Sequence, residues 1–206
     1  MFELVSYISN WALQVINATG YGGIFLLSAL ESAAIPIPSE VVIPFSGFLA
    51  ASGKFSLWGV VAVATLANLA GSVVLFLIGR SGGRRILERY GKYVMIHKKD
   101  LDSADKWFAR HGAAAVFWGR MLPVVRTFIS LPAGVAKMNL ANFSLFTFLG
   151  ALPWNLMLAL VGLKAKENWD LLHGYFRKAD VFIVILVLIA VSLYVARHLK
   201  NKNHNA

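Results

Sequence analysis

Glu31, Glu40, Arg120 and Arg126 are ionisable side chains set in otherwise apolar surroundings. The arginines flank a proline in the string GRMLPVVRT, residues 119–127, and the acids flank the proline-rich ESAAIPIPSE, residues 31–40. Arginine remains charged at physiological pH and offers a planar fork of donors that matches phosphate oxygens. A glutamate in a partly desolvated site can change protonation when a neighbouring charge comes or goes. Two guanidinium groups and two carboxylates together are therefore suited to binding an anion and exchanging protons with it. The simpler reading is that the four only pair with one another. A buried ion pair adds little net stability over apolar residues of the same shape, which makes that a weak reason to place ions there.

The cost of these charges depends on the surrounding solvent. The chain has 206 residues, of which 58% are hydrophobic and 15% charged, with a mean hydropathy of +0.64. Soluble domains average about 25% charged residues, so the composition points to an integral membrane protein. Residues 57–78, 140–163 and 181–196 contain no Asp, Glu, Lys or Arg. Each run approaches the ~20 residues that cross a bilayer as a helix. Each charge left at the bilayer centre costs roughly 2.5–3.5 kcal/mol on insertion scales. Glu31, Glu40, Arg120 and Arg126 must therefore face one another or water; Lys137 lies nearer an edge.

Positioning them requires broken helices. Pro36, Pro38 and Pro44 interrupt the apolar stretch 20–51, and Pro123 and Pro132 interrupt its counterpart at 113–138. A proline removes a backbone donor and clashes with the preceding turn. Irregular backbone at membrane depth survives only where protein or a wet cavity covers it. The expected architecture is an all-α polytopic membrane protein with two opposed re-entrant helical hairpins and about three full transmembrane helices. An internal duplication supports it: Phe55-Ser56-Leu57 recurs as Phe143-Ser144-Leu145 at an offset of 88, and Gly47 and Asn68 recur as Gly134 and Asn155 at 87. Glu31 and Glu40 then fall at about the repeat positions of Arg120 and Arg126. Broken segments at corresponding places in two inverted halves mark a transporter's binding site.

The expected order along the chain begins with an N-terminal amphipathic helix at 1–19, where Glu3, Ser6, Asn10, Gln14 and Asn17 form one polar stripe. Repeat 1 covers 20–83, with its hairpin at about 23–51 and a transmembrane helix at about 55–79. A basic link, 84–111, carries a short surface helix. Repeat 2 covers 112–165, with a hairpin at about 113–138 and a transmembrane helix at about 141–163. The segment 166–206 holds a last transmembrane helix at about 179–197 and a basic tail. The net charge is +10, and nine Lys and Arg lie between Arg80 and His111. By the positive-inside rule this link and the C-terminus are cytoplasmic. The basic charge is thus accounted for by topology and anionic headgroups, and nucleic acid is not expected as a partner. The N-terminus lacks a basic leader, so the mature chain is expected to begin at or near Met1.

Other residues are candidates for support. Asn68 and Asn155 are either glue between helices or part of the site. Pro38, Ser39, Pro123, Thr127 and Gly134 shape the backbone near the charges. Trp58, Trp118, Trp154 and Trp169 suit interfacial belts. With no cysteine there are no disulfides or thiolate ligands. His97, His111, His173, His198 and His204 are scattered without ligand spacing and are expected at the surface. No catalytic triad, phosphate-binding glycine loop or HExxH string is present, so no metal, cofactor or catalytic residue is expected.

The segments ESAAIPIPSEVVIPFSGFLA, IGRSGG and GRMLPVVRTFISLPAGVAKM resemble signature segments of the DedA membrane proteins, which share the VTT or SNARE-associated domain with eukaryotic lipid scramblases. The likeness runs from about Gly20 to Leu163, and its most specific part is the Arg-x-x-Pro-x-x-Arg element followed by Pro-Ala-Gly. It implies two opposed re-entrant hairpins and the movement of lipid-linked phosphate, notably undecaprenyl phosphate, across the bacterial inner membrane in linkage with the proton-motive force. The family's acidic pair falls on Glu31 and Glu40, and its arginine pair on Arg120 and Arg126. Many members have Asp in a Pro-Gly-Asp setting where this chain has Pro38-Ser39-Glu40, a longer arm carrying the same charge. The implied partners are a polyprenyl phosphate or a phospholipid, protons and membrane lipids; a homo-oligomer is compatible with the pattern. The nearest alternatives are an energy-independent phospholipid scramblase and a membrane phosphatase.

Overall fold

The computed structural model describes residues 2–35, 37, 39–83, 98–123 and 125–164. The expected C-terminal helix at about 179–197, most of the basic link and Pro38 lie outside them. Among the described residues every regular element is a helix. Helix α1 spans Phe2–Thr19 and buries Ala12 and Ile16. Gly20, at φ 63°, turns the chain into α2, Tyr21–Ser32. Only glycine holds that left-handed conformation without steric cost.

Helix α2 ends one residue after Glu31. Ala33 and Ala34 follow, the latter at φ 68°, and a proline at position 36 keeps residue 35 out of helical space. Helix α3 begins again at Ser39 and runs to Ala51 with Pro44 inside it. Helix α4, Leu57–Ile78, continues through a π-helical turn at Gly79–Gly83. Helix α5 covers Lys98–Arg120, and after the break at 121–124 come the short α6, Val125–Phe128, and α7, Ser130–Val135. Helix α8, Leu140–Lys164, starts at Asn139, whose Oδ1 accepts from Ala141 N at 2.9 Å and Asn142 N at 3.2 Å. That side chain satisfies donors the first turn leaves free. The short surface helix expected in the link is continuous with the first arm of the second broken segment. The run Ala113-Ala114-Ala115-Val116-Phe117 carries no breaker, and Gly112 alone does not stop the helix.

Two helical stretches, Leu57–Gly83 and Leu140–Lys164, are long and apolar enough to cross a membrane. At 1.5 Å per residue each exceeds the ~30 Å hydrocarbon thickness. The broken segments pack on them crosswise. Helix α2 lies on α4 and α5 on α8, whereas α3 crosses to α8 and α7 crosses to α4. Each crossing uses a residue without a Cβ. A Cβ on Gly47 would sit 2.1 Å from Ala159 O and one on Gly134 2.1 Å from Phe76 O. The equivalent distances are 2.0 Å from Gly71 to Ala29 O and 1.8 Å from Gly162 to Pro44 O. Close backbone contact through small residues is the usual means of holding helices together where no hydrophobic effect operates. Beside these crossings Phe76 stacks on Phe143 at 4.5 Å, with Phe108, Val116 and Ala133 buried around them.

Adding one methyl group at these contacts forces backbone apart. Gly162→Ala and Gly134→Ala are each expected to destabilise the detergent-solubilised protein by about 1–3 kcal/mol. Gly82→Ala, where a Cβ meets nothing within 4 Å, is expected to leave the thermal midpoint within a degree or two of wild type.

Candidate functional site

Both helix breaks deliver a charge to the interior. Glu31 is the second-last residue of α2, and Arg126 lies in α6, whose first turn is closed by the Arg126 N to Leu122 O bond at 2.9 Å. Arg126 Nη2 donates to Glu31 Oε1, joining the two broken segments through side chains only 6% and 7% exposed. The Arg126 guanidinium also lies over the ring of Trp154 on α8, 5.4 Å from its centroid, within the range of a cation–π attraction.

Arg120, the last residue of α5, has a different environment. Its Nη2 donates to Ser72 Oγ on α4 and to Ser130 Oγ on α7, the latter at 2.8 Å. Its stem passes over α8 at Gly150, where a Cβ would come 2.8 Å from Arg120 Cβ. Among the described residues no carboxylate is in ion-pair contact with Arg120, and its buried Nε has no hydrogen-bond partner. The charges of Arg126 and Glu31 both reach it. Glu40, half-buried in the first turn of α3, accepts from Ser39 Oγ at 3.1 Å, and its charge reaches Glu31. The four charges differ in their surroundings. Glu31 and Arg126 are paired, Glu40 stands at the edge, and Arg120 is a buried cation held by hydroxyls alone.

A ladder of polar groups runs from Arg120 across the bundle. Ser72 Oγ donates to Asn68 O at 2.5 Å. Asn68 Nδ2 donates to Ser28 O at 3.0 Å and Ser32 Oγ at 2.8 Å on α2. Asn155 Nδ2 donates to Asn68 Oδ1 at 2.9 Å and Thr65 Oγ1 at 3.1 Å. The two asparagines therefore bond to each other where α4 meets α8. They are glue between helices, and through Ser72 they are also tied to Arg120.

Pro123 lies in the second break, and Gly134 packs on α4 at Phe76. Thr127 is half-buried and forms no side-chain hydrogen bond with the described residues. Sequence reasoning missed Ser72, Ser130, Thr65 and Trp154. The signal for two of them is helical spacing: Ser72 follows Asn68 by one turn, and Ser130 follows Arg126 by one turn. Trp58 and Trp118 are exposed, whereas the half-buried Trp154 lies under Arg126, its Nε1 buried and without a partner among the described residues. Trp169 lies outside the described residues, as do His97, His173, His198 and His204. His111 is exposed against Trp107, 5.8 Å between ring centroids. Among the described residues no three His, Asp or Glu side chains cluster as metal ligands.

Buried charges at helix breaks, flanked by two apolar spans, define an integral membrane protein with an internal ionic site. Residues 37–164 match the VTT domain, a stretch that includes Glu40 and both arginines. The chain is 38% identical to the uncharacterized membrane protein YkoX of Bacillus subtilis, over 95% of this chain and 86% of that one. It is 34% identical to an alkaline phosphatase-like protein of Lactococcus lactis, over 94% and 96%. It is 32% identical to undecaprenyl phosphate transporter A of Bacillus subtilis, over 94% of each. The chain belongs to the DedA family of VTT-domain membrane proteins. No solved structure gives a significant match.

The ion pair makes an energetic prediction. Glu31→Gln leaves Arg126 buried without its counter-charge and is expected to cost about 3–5 kcal/mol in a reversible unfolding titration in mixed micelles. The double variant Glu31→Gln/Arg126→Leu is expected to recover most of that loss, because no unpaired charge remains at the pair.

Proposed function

We propose that this chain moves a lipid-linked phosphate, undecaprenyl phosphate in particular, across the bacterial cytoplasmic membrane in linkage with the proton-motive force. The observation that carries this reading is Arg120: a buried, permanent cation, hydrogen-bonded by serine hydroxyls but matched by no carboxylate among the described residues. A cation kept in an apolar bundle at such cost is accounted for by an anion that visits it. A phosphate headgroup fits the planar donor fork of arginine, while the hydrocarbon tail stays in lipid. Relatives named undecaprenyl phosphate transporter A, in Bacillus subtilis and in Staphylococcus aureus, support this substrate class.

In this reading Glu31 and Arg126 are the exchangeable part. A phosphate that engages Arg126 competes with Glu31 for the same guanidinium. The displaced carboxylate is then left in a dry site beside Glu40, and a proton replaces the guanidinium as its neutralising charge. The broken segments 23–51 and 113–138 act as two opposed re-entrant hairpins of an inverted repeat, 20–83 and 112–165. The crosswise packing of α3 on α8 and of α7 on α4 supports that arrangement. The 84–111 link and the C-terminus face the cytoplasm.

Hydrolysis of a phosphate ester is a second reading, favoured by the relatives named alkaline phosphatase-like and by the serine hydroxyls on Arg120. Among the described residues neither Ser72 nor Ser130 is hydrogen-bonded to a histidine or a carboxylate that would activate it, and transport is the stronger reading. An energy-independent scramblase would use the same site without the carboxylate exchange.

In proteoliposomes carrying labelled undecaprenyl phosphate, Arg120→Ala is expected to lower flux about 10- to 100-fold, the worth of a charge-assisted contact. Undiminished flux in that variant would remove the assignment. Collapse of an imposed pH gradient should slow the wild type and leave a scramblase unaffected; release of inorganic phosphate from the lipid would identify a hydrolase.

A further inference from the structure

Trp154 is not explained by packing alone. It lies in the apolar span α8, between Pro153 and Asn155. Its indole Nε1–H is buried without a hydrogen-bond partner. Indole is a donor only, and a residue needed solely to fill space would be cheaper as phenylalanine, which has no N–H to strip of water. A tryptophan serving as an interfacial anchor keeps its N–H among headgroups and water; this one does not. Its ring face instead carries the Arg126 guanidinium, 5.4 Å from the centroid. Arg126 spends one nitrogen on Glu31, and Arg120, within electrostatic reach of Arg126, holds a second buried donor, Nε, with no partner. Unpartnered donors are few in a native interior, and one on the ring that carries the Arg126 guanidinium marks a place for an acceptor oxygen.

We propose that Trp154 is a headgroup-binding residue, its indole N–H donating to an oxygen of a phosphate monoester while its ring face fixes Arg126 beside that oxygen. This deepens the transport reading above and rests on it. The ring shares the charge of Arg126 with a neutral surface where a second carboxylate would have neutralised it. The guanidinium is held in place and remains a cation that an incoming phosphate can claim. Trp154 thereby sets affinity and orientation, whereas the carboxylates deal with protons.

The test uses the full chain in detergent micelles, with farnesyl phosphate as a short polyprenyl phosphate, inorganic phosphate as the free anion and farnesol as the uncharged control. The wild type is expected to bind farnesyl phosphate and to show a downfield shift of the Trp154 indole 15N–H resonance, assigned by its loss in Trp154→Phe. Trp154→Phe is expected to weaken binding on the order of 10-fold, the value of a hydrogen bond to a charged group, and Trp154→His, which restores a ring donor, to regain part of it. A matching response to inorganic phosphate would make the site one for free phosphate, and a response to farnesyl phosphate alone one for the lipid headgroup. Wild-type affinity in Trp154→Phe, or an indole resonance that farnesyl phosphate leaves unmoved, overturns the role of Trp154 while leaving transport intact. Failure of the wild type both to bind farnesyl phosphate and to transport undecaprenyl phosphate removes the transport reading itself, and this inference with it. Should Trp154→Phe fold poorly, Trp154→Tyr supplies the assignment and the affinity comparison; should Trp154→His fold poorly, Trp154→Phe and the wild-type resonance decide.

Discussion

A permanent charge in hydrocarbon must have a partner, and most of this molecule follows from that constraint. Hydrocarbon offers neither water nor counter-ions, so a guanidinium at membrane depth has to be met by protein groups or by a ligand. Arg126 is met by Glu31 and by the face of Trp154. Arg120 is met by two hydroxyls, which orient it without cancelling its charge. The difference between these arginines gives the site its asymmetry. One cation is paired with a carboxylate, and the other is held by hydroxyls among the described residues.

Meeting these charges in the interior obliges the backbone to break there. A continuous helix would carry Glu31 and Glu40 on one rod and could not turn both toward the opposite segment. The breaks after Ser32 and after Arg120 place each charge at a helix end. Such ends are stable only if other helices cover them, and the crossings at Gly47, Gly71, Gly134 and Gly162 bring that cover into backbone contact. The Asn68–Asn155 bond closes the arrangement where α4 meets α8. Fold and site are thus one system. The same ladder that fastens the spans also ends on the arginine that has no counter-ion among the described residues.

Much of this was legible in the chain itself, for identifiable reasons. Charge-free runs near membrane length revealed two spans because hydrocarbon thickness sets a length that composition must satisfy. Pro36 and Pro123 located the breaks, because a proline removes a donor and clashes with the preceding turn, whereas Pro44 and Pro153 lie inside continuous helices. Glu31, Glu40, Arg120 and Arg126 stood out as charges too costly to face lipid. Asn68 and Asn155 stood out as polar residues in apolar spans, although nothing in the sequence showed that they touch. Trp154 looked like any interfacial tryptophan, because its type and apolar setting are shared by residues that face headgroups. Ser72 and Ser130 looked like ordinary small polar residues of a membrane helix.

The sequence alone therefore settled the solvent, the broken helices and the inventory of buried charges, since each is a local cost that a residue pays wherever the rest of the chain goes. Which carboxylate meets which guanidinium, and which cation is left to hydroxyls, was decided by tertiary structure. Ion pairing, ring stacking and backbone crossings join residues as far apart as Glu31 and Arg126, or Gly47 and Ala159. Such contacts depend on the packing angle and register of whole helices, quantities that no short stretch of sequence contains.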